Sequence, residues 1–148
     1  MKNIFVIKTA DKKGSHQMSN RFDGKVVLIT GAGSGLGRAA ALQAAKEGAK
    51  LSLVDLSQEG LEETERQITE NAPNAEVLLI TANVANEEEV KNYVNQTIEQ
   101  YGRIDGFFNN AGIEGKQNST EDFGSDEFQK VVSVNLNGVF YGLKYVLK

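Results

Sequence analysis

Lys25 to Gly37 reads KVVLITGAGSGLG, and this stretch constrains the fold more than any other part of the chain. Val26, Val27, Leu28 and Ile29 form a short apolar run rich in β-branched residues, the pattern of a buried strand. Thr30 ends the run, and glycines occupy positions 31, 33, 35 and 37. The next residues, RAAALQAAKEG, are strong helix formers stopped by Gly48. Strand, glycine turn and helix, in that order, aim uncommitted backbone N–H groups at a phosphate. The glycines allow a sharp turn, a close approach of ligand, and tight packing of helix on strand. An anion there gains about 0.3–2 kcal/mol from the helix dipole before any hydrogen bond is counted. The alternative reading is a glycine-rich turn that holds no ligand.

Composition narrows the chemistry. The 148 residues include no cysteine, which excludes a disulfide framework, a zinc–thiolate site and a cysteine nucleophile. The single histidine, His16, lies near the N-terminus, so neither a Ser-His-Asp triad nor a multi-histidine metal site is expected. Proton chemistry must then use carboxylates, Tyr or Lys. Net charge is −4, and beyond residue 17 the balance is 12 basic to 19 acidic groups. A nucleic-acid-binding surface is not expected from such a balance. No apolar run approaches the roughly 18 residues of a membrane span. Residues 1–17, MKNIFVIKTADKKGSHQ, differ in character from the rest of the chain, and Ile4 to Ile7 is too short for a signal-peptide core. We read 1–17 as a disordered leader or tag-like extension, 18–148 as the folded domain, and the location as cytoplasmic.

The rest of the chain repeats the β-α theme. Lys50 to Val54 reads as a second strand closed by Asp55, 20 residues after Gly35. A carboxylate at that strand end can accept both hydroxyls of an adenosine ribose and repels a 2′-phosphate, which favours NAD over NADP. A turn or helix-cap role for Asp55 is the alternative, and Ser57 could fill it instead. Residues 58–71 form an acidic amphipathic helix with Leu61 and Ile68 inward. Glu76 to Thr81 is a third strand, and Asn86 caps a helix whose expected inward face is Val90, Val94, Ile98 and Tyr101. Ile104 to Phe108 is a fourth strand, running into Asn109-Asn110-Ala111-Gly112. Successive β-α units predict an α/β fold, a doubly wound parallel sheet with helices on both faces. A polar loop comes next, and from Ser125 a last helix carries the expected apolar stripe Phe128, Val132, Asn135, Val139, Leu143 and Val146. Gly138 and Gly142, one turn apart, predict a close backbone approach by a partner helix, hence a homo-oligomer.

Thr30-Gly31-x-x-x-Gly35-x-Gly37, the NNAG run and the VNLNG around Asn135 together resemble the short-chain dehydrogenase/reductase family. The resemblance runs from Phe22 to Lys148 without a large gap. It implies a Rossmann-type sheet with strand order 3-2-1-4 and an oxidoreductase that moves a hydride between NAD(H) and a small alcohol or ketone. By that resemblance Gly31, Ser34, Gly35, Leu36 and Gly37 would cradle the pyrophosphate and Asp55 the adenosine ribose. Asn83 and Val84 would meet the adenine, and Asn110, Ala111 and Gly112 the nicotinamide-side ribose. Asn135 would hold a water of the proton relay. Its own chemistry also allows a purely structural hydrogen bond between helix and strand. Asn83 departs from the family's usual Asp, keeping an acceptor for the adenine amine while losing the charge.

Family members run to about 250 residues, and their catalytic Ser and Tyr-x-x-x-Lys pair come after the Asn helix, on a fifth strand and its helix. Neither is found in this sequence. Tyr141/Lys144 and Tyr145/Lys148 are spaced three apart rather than four, on the wrong helix. The expectation is therefore a cofactor-binding half truncated before the fifth strand and inactive by itself, with an apolar sheet edge that invites self-association. A non-catalytic dinucleotide-binding or interaction module is the alternative, and a methyltransferase a third reading that NNAG and Asn135 argue against.

Overall fold

The computed structural model describes residues 4–7 and 20–148. Strands β1 (Ile4–Ile7), β2 (Val26–Thr30), β3 (Lys50–Asp55), β4 (Val77–Thr81) and β5 (Gly106–Asn109) form one sheet in the order β1-β5-β2-β3-β4. The four strands from β2 onward are parallel, in the 3-2-1-4 order expected of them, and β1 runs antiparallel along β5. The helices are α1 (Gly35–Lys46), α2 (Gln58–Asn71), α3 (Glu87–Tyr101), α4 (Ser125–Val132) and α5 (Gly138–Val146).

All five residues of β2 are buried, as a central parallel strand covered on both faces requires. Alternation along the strands sorts their side chains into two layers. Val27, Ile29, Leu51 and Leu53 point to the side of α1 and α2, against Ala41, Ala44, Ala45, Leu61 and Ile68. Leu28, Val54, Ile80 and Phe107 point to the other side, against Val90, Tyr93 and Val94 of α3, with Tyr141 and Tyr145 of α5 packed beside them. Among the described residues no helix is long and apolar enough to cross a membrane.

Three expectations need correction. Helix α3 buries Val90, Tyr93, Val94 and Thr97, whereas Ile98 is 43% exposed. Thr97 turns inward because Ser52 on β3 needs a partner: the two hydroxyls lie 2.7 Å apart, and Thr97 also donates to the Tyr93 carbonyl. The expected stripe on the last helix also fails. Residues Ser133–Asn137 form a π-turn between α4 and α5, and a π-turn breaks the 3.6-residue phase. Phe128 is consequently 55% exposed, and Gly138 and Gly142 are the buried positions. Those glycines do mark a close approach, but to this chain's own sheet and the loop after β4: a Cβ at Gly138 would sit 3.0 Å from Val84 in that loop, and one at Gly142 2.9 Å from Phe107 and Asn109 of β5.

The third correction concerns the sheet edge. The sequence pattern predicts β5 with no outer neighbour and Ile4–Ile7 with no regular structure. In the fold Phe5 pairs with Phe108 and Val6 with Phe107, so that edge is covered within the chain. The remainder of the leader lies outside the described residues.

Candidate cofactor-binding site

In open α/β sheets, ligands bind outside the carboxyl ends of the strands, where the strand order reverses. Here that point lies between β2 and β5, because the chain leaves β2 toward β3 and β4 and returns to β2's other side. A cleft of about 580 Å³ opens there. Gly31, Ser34, Gly35, Leu36, Asp55, Asn83, Val84, Asn110, Ala111 and Gly112 line it together, drawn from four separate stretches of sequence.

The glycine turn is built for its shape. Gly31 and Gly35 have φ of +69° and +51°, which residues with a Cβ seldom adopt. Gly37 is not on the cleft wall. It lies beneath the turn, where a Cβ would overlap the Gly31 carbonyl, so its part is to let α1 close onto the loop. Ser34 occupies the N-cap position of α1 but its side chain caps nothing, and the helix has no acidic residue in its first turn. The first backbone bond into this turn runs from Arg38 N–H to Ser34 O, which leaves the amides of Gly35, Leu36 and Gly37 ahead of the ladder. The helices after β3 and β4 differ. Ser57 caps α2 through its hydroxyl, and Asn86 caps α3 through Oδ1 ahead of Glu87, Glu88 and Glu89. Of these three helices, only the one facing the cleft floor is left to an outside anion.

Asp55 ends β3 with both carboxylate oxygens engaged. Oδ2 accepts from the Gly33 N–H at 2.8 Å and Oδ1 from the Ser57 N–H at 2.9 Å. Ser57 serves as the α2 cap, so Asp55 is not needed for that role. Each oxygen keeps lone-pair capacity for a further donor. Asn83 spends Oδ1 on the Ala85 N–H, 3.0 Å away, and its own N–H donates to Glu89 at 2.7 Å.

The two glycine-bearing turns are bolted together. Thr30 Oγ1 accepts from the N–H groups of Asn110 (3.0 Å) and Ala111 (3.1 Å), and Asn110 Nδ2 donates back to the Thr30 carbonyl at 3.0 Å. Asn110 thus holds the cleft's shape with its side chain. Its partner is Thr30, whose place in the sequence marks it only as a strand end. Asn135 also stands behind the wall. Its Oδ1 accepts from the Ile113 N–H (2.9 Å) and its Nδ2 donates to the Ile113 carbonyl (2.8 Å), so one side chain grips both sides of a single loop residue. Gly112 makes room for that grip, since a Cβ there would lie 3.2 Å from Asn135 Oδ1.

Sequence reasoning misses Leu56, Ala82, Ala85, Ile113, Lys130, Ser133 and Val134 as wall residues. Leu56, 72% exposed beside Asp55, has no periodicity to mark it. Ser133, Val134 and Lys130 lie within five residues of Asn135, and that proximity is the available signal. Tyr145 and Lys144 lie elsewhere, both bonded to Glu87 Oε1 at 3.0 and 2.6 Å. The hydrogen bond to Glu87 raises the Tyr145 phenol above its ordinary pKa, the opposite of what a tyrosine proton donor needs.

Comparison with known proteins agrees with this geometry. The family model for short chain dehydrogenases matches residues 25–148. Levodione reductase of Leifsonia aquatica is 63% identical over 130 residues, which cover 88% of this chain and 49% of that protein. Cyclohexanol dehydrogenase of an Acinetobacter species is 39% identical over 86% of this chain and 50% of its own length. The crystal structure of a levodione reductase superposes with a TM-score of 0.85 at 64% identity, covering 86% of this chain and 49% of that one. A xylitol dehydrogenase bound to NAD+ gives 0.82 at 38% identity, over 86% of this chain and 48% of that one. The chain spans about half the length of the curated relatives it matches. With its parallel sheet, its paired turns and this match over nearly all of the described fold, the chain belongs to the short-chain dehydrogenase/reductase family.

Proposed function

We propose that this chain is the cofactor-binding half of an NAD-dependent oxidoreductase acting on a small alcohol or ketone. The observation that carries the reading is Asp55, a carboxylate held at the cleft by the backbone of the glycine turn itself. It would accept the two adenosine ribose hydroxyls and repel a 2′-phosphate, so NAD is the cofactor favoured over NADP. The residues fit such a group: an uncapped, acid-free helix start faces the space a pyrophosphate would take, and Leu36 and Leu56 offer exposed apolar surface on that side of the cleft. When bound, the nicotinamide supplies or accepts the hydride.

This chain's own part is to bind and orient. Gly31, Ser34, Gly35 and Leu36 would approach the pyrophosphate, with Gly37 beneath them. Asn83 and Val84 would border the adenine, and Asn110, Ala111 and Gly112 the second ribose. Asn135 would hold a relay water with the capacity its side chain keeps beside the two bonds to Ile113, a lone pair on Oδ1 and a second N–H on Nδ2. The Tyr and Lys of the relay are not supplied by the pairs at 141–148. A homo-oligomer and a cytoplasmic location belong to the same reading. Levodione and cyclohexanol, named in two relatives, are the first compounds to try with the complete enzyme.

NADH titration followed by its own fluorescence tests the cofactor assignment, and the chain holds no tryptophan to interfere. NADH is expected to bind more tightly than NADPH. Asp55→Asn is expected to narrow that preference. Equal binding of the two dinucleotides by the unaltered chain would refute the NAD assignment.

A further inference from the structure

The glycine turn is held from below by a network that sequence motifs do not mark. The guanidinium of Arg38, on the first turns of α1, donates through Nη2 to the Gly33 carbonyl and, at 3.3 Å, to the Gly60 carbonyl. Its Nε donates to Thr64 Oγ1 at 2.9 Å. Thr64 is fully buried, and its hydroxyl reaches the Ala32 carbonyl at 2.8 Å. The Gly33 backbone is thereby gripped at both ends: its N–H by Asp55 and its C=O, in the next peptide unit, by Arg38. The packing leaves no slack. A Cβ at Gly33 would fall 2.8 Å from the Asp55 carboxyl carbon, and one at Gly60 would fall 2.9 Å from the Gly33 carbonyl oxygen.

We propose that Arg38 is a positioning residue for Asp55, acting through the backbone of Gly33 to hold the carboxylate where the adenosine ribose would meet it. The inference rests on the NAD reading above. A carboxylate whose donor is fixed keeps one orientation, and Asp55 lines the cleft. Hydrogen bonds from a charged donor are about twice as strong as neutral ones, so the guanidinium is suited to fixing a backbone carbonyl. Arg38's own bonds run to Gly33, Gly60 and Thr64 rather than to Asp55, so it sets the carboxylate's aim without competing for the ribose.

The test measures dissociation constants for NADH and NADPH, with the melting temperature of each variant, on the full chain. Arg38→Met is expected to weaken NADH about tenfold, the loss of one charge-assisted bond. NADPH, which draws little from Asp55, is expected to change far less, so the NADH/NADPH preference narrows as it does in Asp55→Asn. Arg38→Lys, which can still reach one carbonyl, is expected to restore part of the preference. If Arg38→Met does not fold, Thr64→Val removes the Nε acceptor and carries the same expectation, with Thr64→Ser as its hydroxyl-retaining control. Losses of NADH and NADPH affinity that stay in proportion would overturn the proposal, because a merely structural role moves both. Should Asp55→Asn narrow the preference while Arg38→Met and Thr64→Val leave it intact, the NAD reading stands and the positioning role is refuted. Failure of the unaltered chain to prefer NADH would remove both.

Discussion

At the scale of the residue, this site is held by side chains that face away from any ligand. Asn135 is the sharpest case. It sits half-buried in a helix, and its amide matches the N–H and C=O of Ile113 in a loop 22 residues earlier. Truncating it would strand both groups, and an unmet buried polar group costs about 1–3 kcal/mol. Asn135→Ala is therefore expected to lower unfolding free energy by about that amount, measured by urea denaturation. It should also raise amide exchange at Ile113, and an unchanged exchange rate there would show that the grip is not needed. The sequence carries half of this. A polar amide on an otherwise apolar helix face announces that it needs a partner, but nothing in the local pattern says which loop supplies one. Thr30 is less legible still, because a threonine at a strand end is common and its bonds to Asn110 and Ala111 span about 80 residues.

At the scale of the element, legibility tracks periodicity and capping. Helix α2 begins and ends where its apolar spacing and Ser57 cap predict, and Asn86 caps α3 as expected. The α4–α5 segment escapes because a stripe at 3.6 residues per turn cannot hold through Ser133–Asn137, where the backbone adopts a π-turn. Helix α5 is fastened to α3 by Glu87, which accepts from both Lys144 and Tyr145. Hydrogen bonds from these two, chiefly Lys144, hold the Glu87 carboxyl below its ordinary value of 4.5. A depressed folded-state pKa contributes stability that is complete above the unfolded value and fades as pH falls below it. Glu87→Gln is thus expected to melt earlier than the unaltered chain at pH 7, with the gap closing below pH 4.5. A gap that persisted at low pH would exclude the carboxylate as its cause. Strand β1 supplies a second element-scale prediction. Its pairing covers the outer edge of β5, and uncovered strand edges recruit other chains. Deleting residues 1–17 is expected to lower the melting temperature and to produce concentration-dependent association in sedimentation velocity; a monodisperse deletion product of equal stability would show that β1 is dispensable.

At the scale of the molecule, the cleft lies where two halves of the fold meet. Gly31 to Leu36, Asp55 and Leu56 belong to the side carrying α1 and α2, whereas Val84, Asn110 to Ile113 and Ser133 belong to the side carrying α3, α4 and α5. The overall architecture is readable because each β-α unit carries its own signature and parallel crossovers have one hand. The cleft's composition is only partly readable, since its far wall comes from the π-turn region. A ligand that touches both sides must be released before they can separate, so binding is transmitted to global stability. At a concentration one hundred times its dissociation constant, a ligand specific for the folded state adds about 2.7 kcal/mol. For a chain of this size each kcal/mol shifts the melting temperature by about 2–4 °C, so saturating NADH is expected to raise it by about 5–11 °C. NADPH at the same concentration is expected to give a smaller shift, because Asp55 would face its 2′-phosphate. The discriminating control is AMP, which would meet Asp55 and border Val84 but reach none of Asn110 to Ile113. If NADH gives Ile113 no greater protection from exchange than AMP does, each at the same multiple of its own dissociation constant, the wall from Asn110 to Ile113 is not engaged. Selective protection of Ile113 by NADH would show that the far wall, with Asn135 behind it, is engaged as well.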